Sequence, residues 1–372
     1  MSDTGSFEIL AVATPGLESA LAAEMAEHHF AAPTMIKGGV LTSGPWSEVM
    51  RANLELRGAT RILARIGHFR ALHLAQLDKR ARRFPWSEFL RKDIPVKVEA
   101  SCSQSRIYHA GAAQERIARA IAEELGAPVT DEAALTVKAR IDDDLCTFSI
   151  DTSGEPLHKR GFKEAVNKAP MRETMAALFL RRCLYRGTEP VVDPMCGSGT
   201  FVIEAAEWAM GLQPGRARRF AFEDLANFDP AAWAALRGVD ARRATSLRFY
   251  GSDRDQGAVK MSGENATRAG VDALCTFRQQ AISDLTPPEG PPGLVIVNPP
   301  YGGRIGNTRE LYGLYGALGK VLATRFAGWR AGLITNEPAL AHATALPFLP
   351  LEAPILHGGI RVMLYRTDML VV

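Results

Sequence analysis

In the second half of the chain, short unbroken apolar runs end abruptly in polar or glycine-rich turns. Val191 and Val192 lead into Asp193, and Leu294-Val-Ile-Val297 leads into Asn298. Unbroken runs of this kind mark strands buried on both faces, as in a parallel sheet covered by helices. Leu247–Ser252, Cys275–Gln279 and Ala331–Thr335 read as further strands. Ile360–Tyr365 and Met369–Val372 read as a closing hairpin. Helical spacing alternates with them. Phe201, Val202, Ala205, Ala206, Ala209 and Met210 form one stripe that Gly211 stops, and Leu311–Phe326 forms another helix. The pattern is that of an α/β domain.

The first half has shorter, mixed elements. Phe7–Ala13 predicts a strand, and Thr14 and Pro15 open a helix with Leu17, Leu21 and Met25 on one face. A turn at Gly38-Gly39 enters a strand, Trp46–Leu54 reads as a helix and Val96–Ala100 as a strand. Ala113–Leu125 is a helix ended by Gly126, and Leu135–Ile141 and Cys146–Ile150 form a hairpin across Asp142-Asp143-Asp144. Together they suggest a small α+β region. Asp151–Lys168 is a polar bridge, Ala169-Pro-Met-Arg-Glu-Thr174 opens a helix running to Cys183, and Gln213–Arg248 is an insertion that delays a strand.

Chemistry concentrates where the apolar runs end. Asp193-Pro-Met-Cys-Gly-Ser-Gly-Thr200 joins a strand to a helix through a glycine turn, the nucleotide-binding corner of an open sheet. No Lys follows Gly199, which excludes a Walker-type phosphate loop. Val202 stands where a dinucleotide fingerprint wants its third glycine. Asp193 would repel a pyrophosphate and suit a cationic amino acid. S-adenosylmethionine, with an ammonium, a sulfonium, a ribose and no phosphate, fits this loop, so Asp193, Cys196, Gly197, Gly199 and Thr200 are its candidate contacts. An acid at the end of the next strand, Asp253, suits a ribose diol, while Asp255 is better placed to cap the helix that follows. Ile282 would pack on the adenine, and Arg172 or Glu173 would touch the methionine end.

Asn298-Pro-Pro-Tyr301 completes the site. Proline lacks an N–H, so this backbone offers acceptors without competing donors. Asn298 Oδ1 and the Pro299 carbonyl can both accept from one exocyclic NH₂, Pro300 stiffens the turn, and Tyr301 can stack on the ring bearing that amine. The pairing points to methyl transfer onto a conjugated amino group. Cys196, inside the cofactor loop, is not placed to carry a methyl group itself.

Charge adds one feature. The 372 residues carry a net charge of only +3, so contact with nucleic acid has to come from where the charges sit. Arg57 to Lys92 holds Arg61, Arg65, Arg70, Lys79, Arg80, Arg82, Arg83 and Arg91 against Asp78 and Glu88, interleaved with Phe84, Trp86 and Phe89. Such a stretch fits a surface tracking a phosphate backbone, with Arg80, Arg82 and Arg83 as candidates, or else a solvated helix face. Five scattered cysteines without ligand spacing argue for a reducing compartment and against structural zinc. No apolar run reaches membrane-spanning length and no signal region opens the chain, so a cytoplasmic protein is expected, without metal or membrane.

Leu157-His-Lys-Arg-Gly-Phe162, Ala169–Thr174, Asp193–Thr200 and Asn298-Pro-Pro-Tyr-Gly302 resemble the THUMP-domain guanine-N2 methyltransferases of large-subunit ribosomal RNA, from about Pro15 to Tyr365. Phe84-Pro-Trp86 and Ser101-Cys-Ser-Gln-Ser-Arg106 look like the THUMP module and add Arg106 to the RNA candidates. Members are often labelled N6-adenine DNA methylases because of the Asn-Pro-Pro-Tyr element. The resemblance implies a Rossmann-like class I methyltransferase domain preceded by an α+β ferredoxin-like and THUMP region that binds RNA. The expected division is 1–55 ferredoxin-like, 56–153 THUMP and 154–372 methyltransferase. It implies S-adenosylmethionine as cofactor and the exocyclic N2 of a guanine in 23S ribosomal RNA as target. A DNA adenine, a protein glutamine and a non-catalytic RNA-binding role are the alternatives. Ala281 replaces an acid that many members have before the adenine-contacting residue, and the larger bacterial members carry a second methyltransferase domain where this sequence has one.

Overall fold

A computed structural model describes residues 5–164, 171–301 and 308–371. The chain forms two compact units. One comprises residues up to Ala13, Ala22–Leu157 and Arg218–Asp240; the other comprises Thr14–Leu21, His158–Ala217 and everything from Ala241 on.

In chain order the first stretch contains β1 (Phe7–Val12), α1 (Glu18–Glu27), β2 (Thr34–Ile36), β3 (Gly39–Gly44), α2 (Trp46–Glu55), β4 (Arg61–Arg70), α3 (Leu74–Arg82), β5 (Val96–Ser103), α4 (Ala110–Leu125), β6 (Leu135–Asp142) and β7 (Leu145–Asp151). The seven strands make one sheet in the order β2-β3-β1-β4-β7-β6-β5, antiparallel except for the β5–β6 pair. β4 is the shared strand: β1 lies on one edge of it and β7 on the other. The predicted hairpin is there, and its two-residue turn puts Asp143 and Asp144 at φ +48° and +59°, as a type I′ turn requires. The helix expected from Thr14 begins instead at Glu18, because Gly16 takes φ +94° and cannot belong to it. Leu17, Leu21 and Met25 are nonetheless all buried.

After Thr14–Leu21 and the stretch from His158, the second unit contains α5 (Glu173–Arg182), β8 (Val191–Asp193) and α6 (Thr200–Ala209). The next helix, α7 (Pro230–Arg237), falls in the first unit. The insertion therefore does more than delay a strand. Asp229 caps α7 by accepting from the Ala231 and Ala232 amides at 2.9 and 3.0 Å, with Pro230 in the first turn. Trp233 then packs edge-on against Phe222, centroids 4.9 Å apart, and α7 lies against α2.

The second unit continues with β9 (Phe249–Asp253), α8 (Gln256–Ala269), β10 (Cys275–Gln279), β11 (Leu294–Val297), α9 (Thr308–Arg325), β12 (Arg330–Thr335), α10 (Pro338–Ala343), β13 (Ile355–His357) and β14 (Ile360–Arg366). The sheet order is β10-β9-β8-β11-β12-β14-β13, with β8 to β12 parallel and β14 antiparallel to β12. Strand order reverses between β8 and β11, where open α/β sheets bind ligands beyond their carboxyl ends. Val295, Val297 and Leu333 from the sheet pack with Tyr315, Leu318, Leu322 and Phe326 of α9 into one core. The expected strand at Met369–Val372 is absent from the described residues there. The hairpin is instead β13–β14, because Gly358 and Gly359 at φ +56° and +85° supply the two-residue turn.

Candidate active site

The glycine loop leaves β8 at Asp193, which is 3% exposed and accepts from the Met195 amide at 3.1 Å. Burial pushes its carboxyl up to about 8; the Met195 amide opposes this and the charge of Asp253 adds to it. Asp253, at the end of β9, accepts from Gly197 N at 3.0 Å and from Asp255 N at 3.0 Å, so it braces the loop as well as facing the site. Asp255 caps α8 through the Gly257 amide. From α8, Ser262 Oγ donates to the Gly197 carbonyl at 2.9 Å and Asn265 Nδ2 to the Ser198 carbonyl at 3.1 Å. Gly199 has φ +80°, and a Cβ there would sit 3.0 Å from Ser262 Cβ. A Cβ on Gly197 would meet nothing within 4 Å, so that glycine marks the open side of the loop.

Two candidates from the loop face inward. Cys196 is buried against Ser262, and burial raises its thiol far above the ordinary range, which disfavours the nucleophilic thiolate. Thr200, also buried, accepts from Lys163 Nζ at 2.9 Å. Lys163 donates as well to the Met171 carbonyl at 2.8 Å and pairs with Glu173 at 3.3 Å. Burial lowers the Lys163 ammonium and raises the Glu173 carboxyl, each opposed by the partner's charge. Beside them Arg160 and Glu204 form a second fully buried pair at 3.2 Å. Sequence reading missed Lys163, although it directly follows the basic Leu157–Phe162 motif. Arg172 stands exposed at the N-terminus of α5 while Glu173 turns inward; residues 165–170, with Ala169 and Pro170 of the predicted helix start, lie outside the described residues. Ile282 opens a short 3₁₀ turn after β10 and packs half-buried on the core; Ala281 before it is exposed.

β11 runs parallel to β8, Leu294 opposite Val191 and Val295 opposite Val192, so its end emerges beside the glycine loop. There Asn298 is half-buried, and its Oδ1 is buried without a hydrogen-bond partner among the described residues. Pro299 is buried. The Pro300 carbonyl accepts from Tyr315 Oη at 3.3 Å, a tyrosine of α9 with no exposed surface whose hydroxyl burial pushes up to about 12. Tyr301 packs half-buried against the α9 core, and burial raises its hydroxyl too. Gly302 lies outside the described residues. No cluster of three potential metal ligands occurs among the described residues.

In the first unit the basic run is largely consumed by carboxylates. Arg61 pairs with Asp151, Arg65 with Glu8, and Arg91 with Asp93. Arg82 meets Asp78, Glu123 and Glu124 at 3.0, 2.7 and 3.0 Å. The interleaved aromatics are not a surface. Trp86 and Phe89 are buried, and Phe84 and Trp86 pack on Phe148, because α3 and the turn after it close over the sheet. Arg80, 6.0 Å over the Phe69 ring, and Arg83 remain exposed, as does Arg106, whose guanidinium lies 3.8 Å from Asp144. Tyr108, 85% exposed, is an aromatic that sequence reading passed over.

Residues 160–347 match the family model described as RMKL-like, methyltransferase domain; 8–63 match the RlmL ferredoxin-like domain and 73–151 the THUMP domain. Proteins named ribosomal RNA large subunit methyltransferase K/L are similar. The one from Aliivibrio salmonicida is 32% identical over 346 residues, 89% of this chain and 49% of the relative. The one from Chromohalobacter salexigens is 34% identical over 359 residues, 91% and 49%. The chain spans about half the length of these relatives. Among solved structures, a Listeria monocytogenes protein described as a predicted N6-adenine-specific DNA methylase has a TM-score of 0.86 and 29% identity, covering 97% of this chain and 96% of that one. The SMU.472 protein in complex with SAH has a TM-score of 0.85 and 27% identity, covering 99% of each chain.

Proposed function

This chain belongs to the RMKL-like methyltransferase family, and from that premise we propose an S-adenosylmethionine-dependent enzyme that methylates the exocyclic N2 of a guanine in large-subunit ribosomal RNA. One observation carries the reading: a buried, partnerless Asn298 Oδ1 at the end of β11, beside a braced glycine loop. A buried acceptor without a donor is costly and persists at sites that a ligand completes.

The loop fits the cofactor. Its open side is at Gly197, and among the described residues no basic side chain pairs with the buried Asp193, which suits an ammonium. Asp193 would hold that ammonium, the loop backbone from Gly197 to Gly199 the methionine and ribose, Asp253 the ribose diol and Ile282 the adenine, with Arg172 on the rim toward the carboxylate. When bound, S-adenosylmethionine supplies an electrophilic methyl group on a sulfonium.

The chain's own residues do the rest. Guanine N2 is conjugated with its ring and is a poor nucleophile. Asn298 Oδ1 and the Pro299 carbonyl would accept hydrogen bonds from its two N–H groups and turn its lone pair out of conjugation toward the methyl. The one proton that N2 sheds on methylation would leave to solvent. The base leaves its stack to reach them, at a cost of about a few kcal/mol that stacking on Tyr301 partly offsets. Positioning, rather than acid–base catalysis, then supplies most of the acceleration. The THUMP and ferredoxin-like parts would dock the RNA through Arg80, Arg83 and Arg106; Arg82, already held by three carboxylates, contributes least. Among the described residues no helix is long and apolar enough to cross a membrane, and we assign the protein to the cytoplasm, where ribosomal RNA is found.

The test is methylation of large-subunit RNA by the purified chain, read as modified nucleosides by mass spectrometry. N2-methylguanosine is expected. Recovery of N6-methyladenine or methylglutamine instead, with guanosine untouched, would overturn the target.

A further inference from the structure

Asn298 has a counterpart on the neighbouring strand. β11 and β12 are parallel and in register from Leu294 opposite Arg330 to Val297 opposite Leu333, with backbones about 4.8 Å apart as in any sheet. Past this register Asn298 is the first residue after Val297 on one strand, and Asn336 is the third after Leu333 on the other, so both stand at the exits of neighbouring strands. Tyr315 ties the two exits together, its hydroxyl donating to the Pro300 carbonyl at 3.3 Å while also pairing with Thr335. Of the described asparagines of the second unit, Asn265 is satisfied on both ends of its amide. Asn298 and Asn336 both keep Oδ1 buried with no hydrogen-bond partner among the described residues.

We propose that Asn336 reads the Watson–Crick edge of the target guanine, its Oδ1 accepting from N1–H beside the amine held by Asn298. The inference rests on the guanine reading above and adds the residue that selects the base. Guanine presents N1–H and the N2 amine as adjacent donors, which match two adjacent acceptors. Adenine presents its N6 amine beside an unprotonated N1, which would face the Asn336 carbonyl acceptor to acceptor. A site built to pair with a donor rejects the analogue lacking it, because its own buried group is then stranded.

The test uses the purified full chain, S-adenosylmethionine and large-subunit ribosomal RNA free of the modification, with N2-methylguanosine measured by mass spectrometry. Asn336→Leu removes the acceptor; Asn336→Asp keeps an acceptor and drops the amide donor. Asn336→Leu is expected to lower kcat/KM about tenfold or more, the effect of one stranded buried hydrogen bond, with cofactor affinity unchanged. Asn336→Asp should retain most of the activity. Wild-type rates in Asn336→Leu overturn the proposal. So does an equal loss in both variants, which would make the amide a donor, or a parallel loss of cofactor binding, which would make the residue structural. A wild-type enzyme that leaves guanosine unmodified fails the guanine reading itself, an outcome distinct from any of these.

Discussion

The loops after β8 and β11 lie side by side yet are built on opposite principles. In the glycine loop the protein satisfies its own polar backbone: Gly197 N by Asp253, Gly197 O by Ser262, Ser198 O by Asn265, and Gly199 N by the Cys196 carbonyl. In the Asn-Pro-Pro-Tyr loop the Pro300 carbonyl has such a partner, while among the described residues the buried Asn298 Oδ1 has none. A loop braced in this way holds its shape without a ligand. A loop with an unspent acceptor has its last interaction reserved for one. On the proposed reading, the difference separates binding of the cofactor from selection of the amine.

Asn298→Ala tests that separation most severely. Losing one preorganised polar group is expected to cost about 2.7–4 kcal/mol in turnover. Cofactor affinity should stay near wild type by calorimetry, since nothing in the glycine loop rests on Asn298. Equal losses in turnover and affinity would erase the distinction between the loops.

The reverse experiment is Gly199→Ala. A left-handed alanine at φ +80°, with its Cβ pressed on Ser262, is expected to cost about 1–3 kcal/mol of stability and to weaken cofactor binding. A melting temperature equal to wild type would show that the bracing is slack.

Asp193 sharpens the cofactor side by pH. Its carboxyl, raised to about 8, is mostly protonated at pH 7 in the free protein, and an ammonium ligand needs it ionised. Binding at pH 7 should therefore release a proton and tighten as pH rises toward 8, by up to about tenfold per unit. Calorimetry in buffers of different ionisation enthalpy reads the proton directly, and Asp193→Asn should abolish its release. Proton uptake, or none, would remove the ammonium from Asp193.

The smallest effects are expected at the proposed RNA surface. Arg80→Ala and Arg83→Ala should each reduce the salt slope of RNA binding by about 0.7–0.9, whereas Arg82→Ala, with three carboxylates already on it, should change the slope little. A slope that falls most in Arg82→Ala would reverse that order.

Much of the second unit was legible in the sequence because its signals are local. An apolar run, an acid and a glycine turn are spelled by neighbouring residues, and β8, β10 and β11 fall where those runs lie. The closing hairpin was misread for an equally local reason: the Gly358-Gly359 turn signal was outweighed by the apolar run at Met369. The basic stretch misled differently. Arginines and aromatics adjacent in sequence suggest one surface, but α3 turns Trp86 toward Phe148 and Arg82 toward Glu123 and Glu124 of α4.

The sequence by itself determined the parallel strands β8 to β12 and the two motifs at the ends of β8 and β11, since backbone preference and apolar periodicity act over a few neighbouring residues, whereas β2, β4 and β13 were not read from it. Tertiary structure alone decided that Lys163 would meet Thr200, 37 positions away, and that Asp253 would hold the Gly197 amide, 56 positions away. It also brought Asn298 and Asn336 to the exits of neighbouring parallel strands and returned Arg218–Asp240 to the first unit. Those partnerships follow from strand order and burial, and a buried polar group takes whatever partner the packed sheet brings within reach, however distant in the chain.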